Sequence, residues 1–267
     1  MRKFFSANRL IPGGIGAVLA ALAAGLVLRA ATSDTGRASR RSTMGALDAR
    51  RADKPGLRVA TLSGKLFSDS LEKSTRKGDV LRRIEAAAGS TYLASMLPQV
   101  DSAIRRWPDE RVRRPLRVAI LPAARVDDYR DEFASAVSWS VTRWNGAVLP
   151  VMLDFRGRDT VRADIVVSWA PALDSDRTGK ADVTWDQRQH IRRAAITLAT
   201  HAPDGRTLTP AEMTALALHE LGHAIGLAHS SEAKDALYPM TRAADLTARD
   251  RATARLLYDL PAGNLRN

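Results

Sequence analysis

Apolar and polar positions change their spacing near Pro115, and this change divides the chain into two parts. Downstream, apolar residues recur at helical spacing over residues 127–144, and short apolar runs typical of strands flank that segment. The five predicted strands cover residues 116–121, 148–155, 164–169, 181–185 and 194–198. The pattern therefore predicts strands interspersed with helices from Pro115 onward.

Two further helices are predicted near the C-terminal end, and the first has a strong start signal. Thr209 can cap a helix whose first position is Pro210, and Glu212 can bond back to the cap. We expect this helix to end near Gly226, because glycine favours the backbone conformation that ends a helix. The last helix is predicted over residues 247–258.

Upstream of Pro115 the pattern is less regular. Residues 30–56 are rich in small, polar and basic side chains, which indicates a flexible linker. Residues 57–114 are expected to form a basic, mainly helical extension that serves as a pro-region or as a stalk. Its predicted elements are a strand over residues 57–62 and helices over residues 71–88 and 91–107.

The N-terminus has the layout of a targeting segment. Arg2, Lys3 and Arg9 precede an uncharged, largely apolar run over residues 10–28, so we assign residues 1–29 as a signal peptide or a signal anchor. The cleavage signal is poor, with Ala31 opening the best candidate, and this favours an uncleaved anchor. Either reading places the rest of the chain outside the cytoplasm.

The net charge of +12 is confined to the first part of the chain. Residues 1–115 hold 22 Lys and Arg against 10 Asp and Glu, whereas residues 116–267 hold 19 of each. A solvated positive flank explains this, and attraction to an anionic membrane surface is the alternative. We expect no nucleic-acid partner, because the basic residues are not interleaved with aromatic ones.

Candidate chemistry is concentrated in residues 219–229. His219 and His223 are four residues apart, so a helix presents both imidazoles on one face, where both can bind one zinc ion. Glu220 lies beside His219, from where its carboxylate can reach a metal-bound water and act as general base. A chain reversal at Gly226 would bring His229 to the same metal as a third ligand. Three histidines leave one coordination position open, as in catalytic zinc sites.

The pattern HExxHxxGxxH formed by these residues resembles the motif of the metzincin metalloproteases. Ser230 directly after the third histidine, and residues 235–239 (DALYP), are similar to the matrixin branch and its bacterial relatives. The resemblance covers residues 115–261, which we take as the catalytic domain. It implies an α+β fold with a twisted, five-stranded mixed sheet backed by helices. The implied antiparallel edge strand is residues 181–185, along which such proteases bind an extended substrate.

The chain departs from the family pattern beneath the zinc. Metzincins carry a methionine there, and in matrixins it lies eight residues after the third histidine, where this chain has Leu237. Met240 is close but at another offset. We favour Leu237 as the floor, because residues 238–239 keep the usual frame and leucine and methionine have similar volumes.

Two other features of vertebrate matrixins are missing from the sequence. A second, structural zinc with a His-x-Asp element has no counterpart, since only His190 and His201 remain, and we interpret both as surface residues. The chain has no cysteine, which rules out latency through a cysteine–zinc bond. We therefore expect one catalytic Zn²⁺, and calcium binding is left open.

The sequence predicts an extracytoplasmic, zinc-dependent endopeptidase with protein or peptide substrates. The metal ligands would be His219, His223 and His229, with Glu220 as the catalytic base. One alternative is a weakly active or inactive zinc-binding protease fold that serves as a binding module, which the change at Leu237 favours. Another is a membrane-associated structural protein whose basic N-terminal part is the functional piece. The natural substrate and the oligomeric state are left open.

Overall fold

The computed structural model describes residues 72, 74–112, 114–123, 125–155, 159–174 and 177–266. All of these residues belong to one compact unit. The predicted targeting segment, linker and first strand, residues 1–62, lie outside the described residues. In the described part, no helix combines the length and the apolar composition needed to cross a bilayer.

Strands and helices follow one another in the order that the pattern predicts from Pro115 onward. The strands are β1 Ala103–Ile104, β2 Leu116–Ile120, β3 Leu153–Phe155, β4 Ile165–Ala170, β5 Gly179–Trp185, β6 Ile191–Ala199 and β7 Gly263–Asn264. The helices are α1 over residues 74–86, α2 Leu93–Met96, α3 Asp131–Asn145, α4 Pro210–Ala224 and α5 Ala248–Asp259, with 3₁₀ turns at Leu97–Val100 and Asp109–Val112.

Five strands form one mixed sheet in the order β3-β2-β4-β6-β5. The first four are parallel, and β5 pairs antiparallel with β6 at the edge. This arrangement confirms the sheet that the metzincin resemblance implies, including its antiparallel edge strand. Val118, Ile165 and Ile196, on three neighbouring strands, are fully or almost fully buried in the core.

Helices α3 and α4 pack against each other and against the sheet. Trp144 of α3 donates its indole N–H to the Leu218 carbonyl of α4 at 3.0 Å, so a polar bond joins the two apolar faces. Helix α3 begins four residues later than predicted, because Asp128 has a φ of 55°. Strand β3 is also shorter than predicted, since Val148 has a φ of 56° and is exposed.

The prediction of one helix over residues 91–107 is wrong. Helix α2 and the following 3₁₀ turn end at Val100, where Asp101 and Ser102 take left-handed φ values of 55° and 53°. The chain then extends into β1, which pairs antiparallel with β7. The apolar spacing is real, but Ile104 is buried through this strand pairing rather than on a helix face. Tertiary pairing has overridden local periodicity here.

Candidate metal centre

Helix α4 carries two of the candidate ligands, and its start is fixed by the predicted capping box. The Thr209 hydroxyl accepts a hydrogen bond from the Glu212 backbone N–H, and the Glu212 carboxylate accepts one from the Thr209 N–H at 2.8 Å. Pro210 occupies the first turn. His219 and His223 therefore share one helix face, with their Nε2 atoms 3.0 Å apart.

A reversal at Gly226 brings the third histidine to the other two. Helix α4 ends at Ala224, and Gly226 follows with a φ of 109°, a conformation that residues with side chains rarely adopt. A Cβ at this position would also overlap the Arg105 carbonyl oxygen. Beyond the turn, His229 offers a ring nitrogen, and the ligand atoms of the three histidines all lie within 4.8 Å of one another.

Backbone carbonyls orient two of the three rings. His219 Nδ1 lies 2.8 Å from the Ala236 oxygen, and His223 Nδ1 lies 2.8 Å from the Leu227 oxygen. A carbonyl only accepts, so each Nδ1 is the protonated nitrogen and each Nε2 carries a free lone pair. Such hydrogen bonds commonly orient histidines that bind metal.

These tautomers provide a test of whether a metal fits. In the neutral rings the Nε2 atoms of His219 and His223 face each other without a proton between them, which is unfavourable unless a cation attracts both lone pairs. Burial lowers the pKa of His219 to about 4 and that of His223 to about 3, and it also lowers the pKa of His229. All three rings are thus neutral at physiological pH, the form that binds metal. The donor set fits Zn²⁺.

Glu220 is buried beside the histidines, between α4 and the edge strand. Its carboxylate lies against Gly179 of β5 so closely that a Cβ there would overlap it. Burial raises the pKa of Glu220 to about 8, and the positive charge of Arg177 opposes this rise. A bound dication would favour the ionised carboxylate. Gly179 is therefore a contact of the site that the sequence analysis did not identify.

Leu237, rather than Met240, is the buried side chain that packs against α4 between the two helical histidines. Leu237 is fully buried, whereas Met240 is 81% exposed. A Cβ on Gly222, which lies on α4 between the two histidines, would come within 2.7 Å of Leu237 Cδ2. The glycine thus allows the leucine side chain to pack directly against the active-site helix, in agreement with the preference for Leu237.

The turn after His229 is held by buried acidic side chains. Asp235 accepts hydrogen bonds from the hydroxyls of Ser230 and Thr247. Asp250 of α5 accepts one from the Ala236 backbone N–H at 2.9 Å. Since the Ala236 carbonyl accepts from the first histidine, α5 is linked to the candidate site through this turn. The sequence analysis named Asp235 only as part of the family motif and did not connect Asp250 with the site, because the contacts of both residues depend on the fold.

The two remaining histidines lie away from the three-histidine group. His190 and His201 are partly exposed, with side-chain exposures of 24% and 17%. His201 Nε2 lies 2.8 Å from Asp128 Oδ2, and its Nδ1 lies 3.0 Å from the Pro171 oxygen. The hydrogen bond and charge of Asp128 raise the pKa of His201.

Comparison with known proteins agrees with the geometry. The sequence model of the matrixin family matches residues 113–259, more than half of the chain, and this range contains the sheet, α3, α4 and α5. No curated protein sequence matches the chain. The matched range includes the three histidines, Glu220 and the buried turn that follows them. The chain therefore belongs to the matrixin family of metallopeptidases.

Proposed function

We propose that the protein is a zinc-dependent endopeptidase in which His219, His223 and His229 hold the metal and Glu220 is the general base. The observation that carries this proposal is the pair of unprotonated Nε2 atoms 3.0 Å apart, with a third imidazole within reach. Such a group is costly to bury without a cation. Its place beside a buried carboxylate, in a chain of a metallopeptidase family, favours hydrolysis over purely structural metal binding.

Zinc at this position would polarise the scissile carbonyl and make water more acidic. Glu220 would take the proton of the attacking water and deliver it to the leaving amine. The carboxylate is held for this task between α4 and Gly179 of β5. Leu237 is buried against α4, and burial of His219 and His223 stabilises their neutral form.

We further propose that substrates bind along β5. This strand lies at the edge of the five-stranded sheet and runs beside Glu220. An extended peptide can add to such an edge through backbone hydrogen bonds, which give affinity without sequence information. The expected substrates are therefore unfolded or flexible protein segments.

The test combines zinc content with cleavage of an unstructured protein. Glu220→Gln should keep stoichiometric zinc and lose about 10²–10⁴-fold in kcat, the usual contribution of a general base. Glu232→Gln is the matched control, because Glu232 lies close to the third histidine in sequence but is exposed. Retained turnover in Glu220→Gln would contradict its role. Stoichiometric zinc without turnover in the natural chain would instead favour the binding-module alternative.

We also propose that the enzyme works outside the cytoplasm, with residues 1–29 as a signal peptide or an anchor. The support is the sequence layout of basic residues followed by an apolar run. Fusing these residues to a reporter that is active only outside the cytoplasm should give activity. A reporter that remains inactive would contradict the proposed localisation.

A further inference from the structure

The segment before the family-matched range contacts the backbone of His229 and of Ala224, next to His223, and it reaches the turn that orients His219 through Asp250. We define residues 92–107 as the brace. We propose that the brace positions the zinc ligands, and that Gln99 is the residue that positions His229. This inference rests on the proposed zinc site and adds a positioning element from outside residues 113–259.

Gln99 forms hydrogen bonds with both backbone polar groups of His229, its N–H and its carbonyl. Its side-chain Nε2 donates to the His229 carbonyl at 3.1 Å, and its Oε1 accepts from the His229 N–H at 3.2 Å. These two bonds reproduce the pairing that a neighbouring strand would give. His229 lies beyond the end of α4, in a segment without helix or strand, so its backbone has no regular ladder to fix it. The glutamine side chain supplies that restraint.

The brace itself is anchored, so Gln99 is attached to a rigid part of the molecule. Leu93, Met96 and Leu97 around it are buried in the main core. The 3₁₀ turn that carries Gln99 is closed by the Ser102 N–H, which donates to the Leu97 carbonyl at 2.8 Å.

Two further contacts connect the brace to the other histidines. The Trp107 indole N–H donates to the carbonyl of Ala224, the residue after His223, at 2.9 Å. The Tyr92 hydroxyl donates to Asp250 Oδ1 at 3.0 Å. Asp250 in turn accepts from the backbone N–H of Ala236, whose carbonyl orients the first histidine. Each candidate ligand is therefore connected to the brace through a short series of bonds.

Gln99→Ala in the full chain tests the inference, with zinc affinity measured by competition against a chelator. Loss of a hydrogen-bonding group that orients a metal ligand typically weakens metal binding about 10–100-fold, and we expect about tenfold here. Gln99→Glu should also weaken zinc binding, because one oxygen still accepts from the His229 N–H but the other faces the His229 carbonyl. Ser95→Ala is the matched control. It removes a hydrogen bond to the Tyr92 carbonyl within the same segment and does not touch a ligand.

A second measurement separates positioning from general stability. The urea midpoint of the zinc-free protein should be similar for Gln99→Ala and Ser95→Ala, while only Gln99→Ala loses zinc affinity. The inference is overturned if the two variants bind zinc equally well, or if Gln99→Ala stays within twofold of the natural chain. If the natural chain binds no zinc, and His223→Ala changes nothing, the proposed function fails together with the inference.

Discussion

At the scale of single residues, Gly226 is constrained in two independent ways. Its φ of 109° is unfavourable for residues with a side chain, and a Cβ would overlap the Arg105 carbonyl oxygen of the brace. Gly205 also has a positive φ, 82°, but open space surrounds its Cβ position. Comparing substitutions at Gly226 and Gly205 therefore separates the free-energy cost of the backbone conformation from the free-energy cost of the steric overlap.

We predict that Gly226→Ala destabilises the protein more than Gly205→Ala. The φ penalty alone is about 1–2 kcal/mol and applies to both variants. The overlap with a backbone oxygen adds about 1–3 kcal/mol at Gly226 only, since the backbone must shift. Urea unfolding of both variants measures the difference, and equal losses would show that the approach of Arg105 to the turn is not tight.

His201 gives a second prediction at this scale, about pH. Asp128 and the Pro171 carbonyl both accept from its ring, and these bonds raise its pKa above the ordinary value of 6.5. A raised pKa means that the folded state binds the proton more tightly, so this stabilisation is fully present below pH 6.5. It is lost as the pH rises through the folded-state pKa. The other nearby groups are the Thr200 hydroxyl, 3.0 Å from His201 Nδ1, Thr207, which also donates to Asp128, and the charges of Asp127 and Arg130.

We therefore expect His201→Gln to lower the Tm relative to the natural chain below pH 6.5, with a difference that shrinks at higher pH. Asp128→Asn should abolish the same pH dependence, because it removes the carboxylate that holds the proton. Thermal unfolding between pH 5.5 and 9 is the measurement. Parallel Tm curves for the natural chain and both variants would contradict the ion pair.

At the scale of elements, α4 and the turn that follows it contribute to the site in different ways. The helix sets the spacing of two histidines through its own geometry, whereas the turn contributes a buried side chain that packs against the helix. Leu237 of the turn packs on Gly222 of the helix, and Asp250 of α5 holds the turn in place. The floor of the site thus depends on three elements meeting.

We predict that Leu237→Ala costs about 2–5 kcal/mol of unfolding free energy, because it leaves a cavity in a fully buried position. Leu237→Met should cost less than about 1.5 kcal/mol, since the volume is nearly conserved. Met240→Ala, at an exposed position, should stay within about 0.5 kcal/mol of the natural chain. Chemical denaturation of the three variants tests this ranking of unfolding free energies. A large loss of stability in Met240→Ala would indicate that Met240, rather than Leu237, forms the floor of the site.

At the scale of the whole molecule, the brace and the family-matched range share one core. Tyr92, Ile104 and Trp107 are almost completely buried among residues of the sheet and the helices. Strand β1 also pairs with β7 beyond the last helix, so the segment before the family-matched range meets the segment after it. Whether residues 57–114 act as a pro-region or as a stalk stays a prediction, but the buried side chains of its described part belong to the main core.

We expect a chain of residues 108–267 to lose cooperative unfolding, while residues 54–267 keep it. Replacing one buried aromatic side chain by alanine costs about 3–5 kcal/mol. Removing two of them with their aliphatic neighbours approaches the whole stability of a domain, about 5–15 kcal/mol. Urea titration followed by circular dichroism compares the two chains. An equal midpoint for the shorter chain would show that the brace is dispensable for folding.

Features that depend on neighbours along the chain could be predicted from the amino-acid sequence alone. The capping box at Thr209, the four-residue spacing of His219 and His223 and the glycine turn after them follow local rules of helix geometry, so they were predicted. The family motif added the order of the sheet and its antiparallel edge, which the structure has.

The groups that surround this helix from distant parts of the chain could be identified only from the folded structure. Gln99 meets His229 across 130 residues of sequence, and no periodic pattern records such a contact. The same reason explains the wrong helix over residues 91–107, where pairing of β1 with β7 outweighed the apolar spacing. The spacing of the family motif favoured Leu237 over Met240 as the residue beneath the site. The decisive observation is tertiary, because Leu237 is buried and Met240 is exposed. Local propensities differ by less than about 1 kcal/mol per residue, so the burial of a few large side chains outweighs them.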